Sequence, residues 1–290
     1  MEPSERKTFK ASPRYLLPVI SVAALATVLV VILQFAYEVP PSAFWLFPEE
    51  GFGILANTLY FILILALAGT LFYLLVKRGH VRVLTPLIVM AYGGVGFALA
   101  SVYLPVAFWA AGLQGSNIYL QSLIAASVAF TVFIVYGALW GNKRLRLATM
   151  LFVGAALGAL LGFSSTTLTA FTILLALAVY DVFAVFKGPL GKMVSVKEGR
   201  EVRGLMVPFG ELSIGLGDLV FYSMLVSHIY LALGVAPFAA GLGGLMLGAY
   251  LTFKQLEKRR IFPGLPLTLT LAMGFSLLTY YLPGLVAKLP

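Results

Sequence analysis

Along the chain, long apolar runs are broken by short stretches of charged and turn-forming residues. Nine such runs predict nine helices, near residues 15–36, 52–76, 83–104, 118–140, 147–163, 167–186, 212–233, 236–253 and 265–286. A bilayer is crossed by about 20 apolar residues. The expected fold class is therefore an all-α membrane protein with nine transmembrane helices. The first run follows a basic segment, Arg6, Lys7, Lys10 and Arg14. It exceeds the roughly 7–15 residues of a signal-peptide core and no small-residue cleavage site follows it, so it counts as a span.

Composition narrows the function classes. Of 290 residues, 61% are hydrophobic and 11% charged, against roughly 45–50% and about 25% in a soluble domain. No water-soluble surface can be built from that mixture. Nine spans use roughly 180 residues, which excludes a large soluble catalytic domain and leaves one polytopic unit over 1–290. Within it, 1–163 reads as a scaffold of five spans. Residues 164–290 hold spans six to nine, the chemistry and a sizeable connection at 187–211. The chain has no Cys and only two His, His80 and His228. Thiol catalysis and cysteine-ligated metals are excluded with them. No His-Glu-x-x-His sequence offers zinc ligands, and Ser164 and Ser165 lack a Gly-x-Ser-Gly context. His228 lies ten residues past Asp218, roughly 15 Å along a helix and about 280° around it, so it reads as an interhelical or interfacial residue.

The net charge of +9 would point to nucleic acid in a soluble protein, but in a membrane protein its distribution matters first. Alternate connections hold Arg6, Lys7, Lys10 and Arg14; Lys77, Arg78 and Arg82; Lys143, Arg144 and Arg146; Lys187, Lys192, Lys197, Arg200 and Arg203; and Lys254, Lys258, Arg259 and Arg260. Of the 20 Lys and Arg, only Lys288 falls on the other side. The positive-inside rule then predicts a cytoplasmic N-terminus, an external C-terminus and no nucleic-acid partner. The same clusters are also a secondary candidate for binding acidic membrane lipid or a substrate's flanking residues. In span five, Gly154, Gly158 and Gly162 recur every four residues. Such a small-residue face serves close helix packing inside the molecule or, alternatively, contact between copies in a homo-oligomer.

Nine of the eleven acidic residues are Glu in the tail, loops or span ends; the only two Asp are Asp181 and Asp218, both inside predicted spans. An Asp near a helix centre costs roughly 2.5–3.5 kcal/mol on insertion scales, so the pair calls for a reason. Asp181 precedes Lys187 by six residues and Asp218 follows Glu211 by seven. In helices both would then lie roughly 9–11 Å below the cytoplasmic boundary. Two carboxylates at one depth can share a proton, giving an acid and a base in one site. That pair can activate water and polarise a peptide carbonyl with no cofactor and no metal.

Asp218 closes Gly215-Leu216-Gly217-Asp218, and Asp181 follows Tyr180, which reads as a packing residue or as a donor to the pair. Glycines just before an Asp remove bulk where another backbone must approach. Pro263-Gly264-Leu265-Pro266 opens the last span. Its prolines disfavour regular helix and leave unpaired backbone groups able to meet an extended peptide. The apolar stretch Leu205-Met206-Val207-Pro208 is the other candidate for substrate contact. A substrate is expected to unwind and pair with backbone around Leu205, Met206 and Val207 on one side and Gly264-Leu265 on the other.

Three segments, VYDVFAVFKGPL (179–190), GLGDLVFYSMLV (215–226) and PGLPLTL (263–269), resemble the motifs of the presenilin and signal peptide peptidase family of nine-span intramembrane aspartyl proteases. The resemblance implies that Asp181 and Asp218 are the catalytic pair and that Pro263 to Pro266 correspond to a Pro-Ala-Leu-Pro element, with Gly264 in place of Ala. KGPL, the FYS after Asp218 and the inside N-terminus are more similar to presenilin than to signal peptide peptidase. The short 187–211 connection departs from animal presenilins, where a long cleaved loop is expected. The resemblance implies a compact, archaeal-type homologue in a plasma membrane, acting as one intact chain on transmembrane segments of other proteins. The alternative function is a proton- or cation-coupled transporter that uses the two Asp as a relay.

Overall fold

The computed structural model describes residues 10–38, 45–113, 118–186, 204–259 and 261–286. The motif residues 187–190 and most of the 187–211 connection lie outside the described residues. Among the described residues are nine helices long and apolar enough to cross a membrane. They are α1 (Leu17–Ala36), α2 (Phe52–Lys77), α3 (Val81–Ala110), α4 (Tyr119–Leu139), α5 (Lys143–Phe163), α6 (Thr167–Phe186), α7 (Leu216–Leu233), α8 (Val235–Lys258) and α9 (Leu265–Val286).

Several boundaries differ from the sequence expectation. The third span does not stop at 104, because α3 carries Pro105 inside it and continues to Ala110; neighbouring groups can satisfy the backbone that proline frees in a spanning helix. The fifth starts four residues early, where the Asn142 side chain caps α5 by accepting the Leu145 N–H at 2.9 Å. The seventh run is two kinds of structure. Residues 212–215 are not helix but strand β2 (Leu212–Gly215), paired antiparallel with β1 (Met206–Phe209). Gly210, at φ 64°, makes the tight turn between them, the first central position of the two-residue hairpin turn that favours glycine.

The hairpin is fixed at both ends. Gly204 enters at φ 93° in a socket where a Cβ would press on Leu139, Ile88 and Tyr92, and the Tyr92 hydroxyl donates to the Gly204 carbonyl at 2.6 Å. At the tip, the Tyr15 ring meets Phe209 edge-on at 6.3 Å. Nearby, the Ala11 N–H donates to the Glu257 carboxylate.

The glycine face of α5 is spent on internal packing. Gly154 stands against Leu219, Gly158 against Ser223 and the Val220 carbonyl, and Gly162 against Ser227 and the Met224 carbonyl. Leu219, Ser223 and Ser227 share one face of α7, so two backbones meet along matching four-residue rows. Helix α1 packs on the same pair, with Val22, Ala26, Val30 and Leu33 fully buried. At the other end of α7, His228 is buried between helices, with Nδ1 3.0 Å from the Gly162 carbonyl and Nε2 3.2 Å from Thr167 Oγ1. That is the interhelical position expected of it.

Candidate active site

Asp181 sits in the last third of α6, five residues before Phe186. Asp218 sits in the first turn of α7, directly after β2, whose last residue Gly215 is the helix N-cap. The depth obtained by counting helical rise from Glu211 therefore does not apply to Asp218. Its position is set by a strand leading directly into the first turn of a helix.

The two carboxylates meet over the Pro263–Pro266 segment. Leu265 N–H, at the start of α9, donates to Asp181 Oδ2 at 3.0 Å. Gly264 lies against the other carboxylate, and a Cβ there would stand 2.7 Å from Asp218 Oδ2. Asp218 and Asp181 lie close enough to act on one another electrostatically. Pro263 and Leu265 are buried.

This geometry corrects two expectations. The Gly264-Leu265 peptide is not unpaired. Its N–H serves Asp181, and its carbonyl accepts from the Tyr222 hydroxyl at 3.0 Å and from Thr268 Oγ1 at 2.8 Å. Nor do Gly215 and Gly217 admit another backbone. A Cβ on Gly215 would meet the Asp218 carboxylate itself, 3.3 Å from Oδ2, and one on Gly217 would meet only the Phe221 ring, at 3.8 Å. The close backbone approach to Asp218 is at Gly264.

Tyr180 is turned toward α2, its hydroxyl 3.6 Å from where a Cβ on Gly69 would lie. This favours the packing role over donation to the pair. Leu216 closes the hairpin, donating its N–H to the Leu205 carbonyl at 3.0 Å, and its side chain reaches Gly154 of α5. Met206 is half exposed and Val207 fully buried. Tyr222 and Thr268 join the site without having been singled out by the sequence. Tyr222 lies one turn after Asp218 and so on the same face of α7, a spacing that could have singled it out.

No family model matches the chain. Over 190 residues, 60% of this chain, it is 30% identical to Presenilin-B of Dictyostelium discoideum, and the match covers 38% of that protein's length. Two solved structures of a presenilin family intramembrane aspartate protease share its fold. One, in space group C222, superposes with a TM-score of 0.63 at 21% identity, over 93% of this chain and 100% of that one. The other, in space group P2, gives 0.59 at 24% identity over 93% and 96%. The chain is thus similar to presenilins in sequence and has the fold of a presenilin family protease, as its motifs imply.

Proposed function

We propose that the chain is an intramembrane aspartyl endopeptidase that hydrolyses peptide bonds within transmembrane helices of single-span substrates. The observation that carries this is the convergence of Asp181 and Asp218, the chain's only aspartates, on the Gly264-Leu265 peptide. Likeness to presenilin family proteases supports it. One carboxylate, ionised, takes a proton from water as the water oxygen bonds to the substrate's carbonyl carbon. The other, protonated, donates to the carbonyl oxygen and stabilises the tetrahedral intermediate. Collapse breaks the C–N bond as a proton passes to the leaving nitrogen, releasing a carboxylic acid and an amine. The chemistry uses no cofactor.

A helical substrate must unwind before its peptide bonds become accessible, because lipid makes every intrahelical hydrogen bond obligatory. The hairpin offers replacement partners, and its register selects the edge. Leu205 and Leu216 form a hydrogen-bonded pair, so Val207 with Ile214 and Phe209 with Leu212 are the next such pairs, and the backbone groups of Met206, Pro208, Ser213 and Gly215 point outward. Pro208 has no N–H, which spoils the β1 edge for pairing. The β2 edge is intact and runs straight into Asp218. The edge proposed to pair with substrate is therefore Leu212–Gly215 and not residues 205–207.

The alternating basic clusters support a cytoplasmic N-terminus, and with it a multi-pass protein of an archaeal-type plasma membrane acting as one intact chain. Spans one to five serve as scaffold for spans six to nine. The decisive experiment incubates purified protein in detergent with a single-span substrate and looks for fragments by mass spectrometry, using Asp181→Asn and Asp218→Asn as controls. Fragments made only by the parent chain support the protease. No cleavage at any pH or lipid composition, together with an ion flux that Asp218→Asn abolishes, would establish the transporter instead.

A further inference from the structure

The Gly264 carbonyl and the Leu265 N–H belong to one peptide unit, and that unit is planar and rigid. Its N–H end donates to Asp181 on α6. Its carbonyl end is held from α7 by Tyr222 and from within α9 by Thr268. Both side chains are buried, Tyr222 at 4% exposure and Thr268 at 0%. The Tyr222 hydroxyl has a single proton and lies closer to the Gly264 carbonyl, at 3.0 Å, than to Thr268 Oγ1, at 3.4 Å. Both hydroxyls thus donate to one carbonyl oxygen, which has the lone pairs to accept them.

We infer that Tyr222 and Thr268 are positioning residues that clamp the Gly264-Leu265 peptide, so that the helix carrying Asp218 sets the hydrogen bond that Asp181 receives from Leu265. Two consequences follow from the rigid amide. Fixing the carbonyl fixes the direction of the N–H on the opposite side of the same plane. Donation to the carbonyl also polarises the amide and makes its N–H a stronger donor, as in any hydrogen-bonded chain. Tyr222 stands one turn from Asp218 on α7, so any shift of α7 is passed to the partner of Asp181. The titratable groups near enough to act on Asp181 electrostatically are Tyr180, next to it in sequence but turned toward α2, and Asp218 and Tyr222 on α7. Pro263 to Pro266 contributes backbone alone, having no titratable side chain.

The inference rests on the protease reading for its catalytic meaning, but it has a test that needs no activity. Because the chain contains Asp only at 181 and 218, protein made with aspartate isotopically labelled at its carboxyl carbon gives two carboxyl resonances, assigned with Asp181→Asn. In the double variant Tyr222→Phe/Thr268→Val, the Asp181 titration should move to higher pH by about half a unit or more, because the ionised form has lost part of its donor. Thr268→Ser, which keeps the hydroxyl, should show little of the shift caused by Thr268→Val. In cleavage assays Tyr222→Phe should lower kcat by about tenfold, the worth of one buried hydrogen bond, with KM little changed and the acidic limb displaced upward. An unmoved Asp181 resonance in a folded double variant overturns the clamp, whether or not the protein cleaves anything. Absence of cleavage by the parent chain, with the resonance shifted as expected, would overturn only the protease reading.

Discussion

Gly264 stands so close to Asp218 that a Cβ on residue 264 would lie 2.7 Å from the carboxylate oxygen Oδ2. The neighbour is the end of a side chain, which can turn away, and not a backbone, which cannot. Gly264→Ala should therefore fold with a thermal midpoint close to the parent and lower turnover by about tenfold, since displacing a reacting group by a fraction of an ångström costs that much or more. Gly264→Val should be inactive. A Gly264→Ala protein with parental turnover would show that the carboxylate does not need the place it occupies.

The carboxylate pair predicts a bell-shaped dependence of turnover on pH. At low pH both groups are protonated and no base remains to activate water; at high pH both are ionised and no acid remains to polarise the carbonyl. Activity should peak between these limits. Asp181→Asn and Asp218→Asn should each abolish turnover across the whole range while the helical content stays unchanged by circular dichroism. Appreciable cleavage by either variant would remove the pair from the mechanism.

Leu265 N–H donates to Asp181 from the first position of α9. Proline is tolerated at that position of a helix but lacks the donor; because the Leu265 side chain is buried, Leu265→Ala, which keeps the N–H, is the control for lost packing. Leu265→Pro should keep the fold and reduce turnover at least as much as Tyr222→Phe, because it removes this hydrogen bond itself and leaves Asp181 only the one from the Gly264 backbone. Turnover equal to the parent would mean that the hydrogen bond from Leu265 to Asp181 has no catalytic weight.

The nine spans were legible because lipid demands long apolar helices, and the Asp pair because charge inside them is expensive. The hairpin was hidden by the same logic. Leu212 and Ile214 are apolar and adjoin α7, so a four-residue strand looks like the first turn of a longer span, and short apolar runs cannot be told apart by period alone. Tyr222 and Thr268 stayed unassigned for a different reason. Their partner is a backbone carbonyl, 42 residues from Tyr222, and backbone partners leave no trace in residue identity.

Gly158 is the tightest point of the α5–α7 contact, where a Cβ would collide with the Ser223 side chain and the Val220 carbonyl. Relief would require backbone movement in a close-packed interior. Gly158→Leu should lower stability by about 3 kcal/mol or more through overpacking, read as a lowered unfolding midpoint in detergent. Because α7 carries Asp218, any folded remainder should also be less active. A parental midpoint would show that α5 and α7 do not pack through these glycines.

The hairpin register makes a sharper demand, because it distinguishes two strands four residues long and side by side. Ser213 on β2 and Met206 on β1 both point their backbone groups outward, and both side chains are exposed. Proline at either position keeps the hairpin's own ladder, since neither N–H takes part in it. If a substrate pairs with β2, Ser213→Pro removes a donor that the substrate needs. Turnover should fall by about tenfold or more through a raised KM, the cost of one or two lost strand hydrogen bonds. Met206→Pro should leave turnover within about twofold of the parent, well under the worth of one hydrogen bond, because the β1 edge is already interrupted at Pro208. Measuring both variants on one single-span substrate separates the edges. Loss in Met206→Pro with Ser213→Pro unaffected would return the substrate to β1, and equal activity in both would remove strand pairing from substrate recognition.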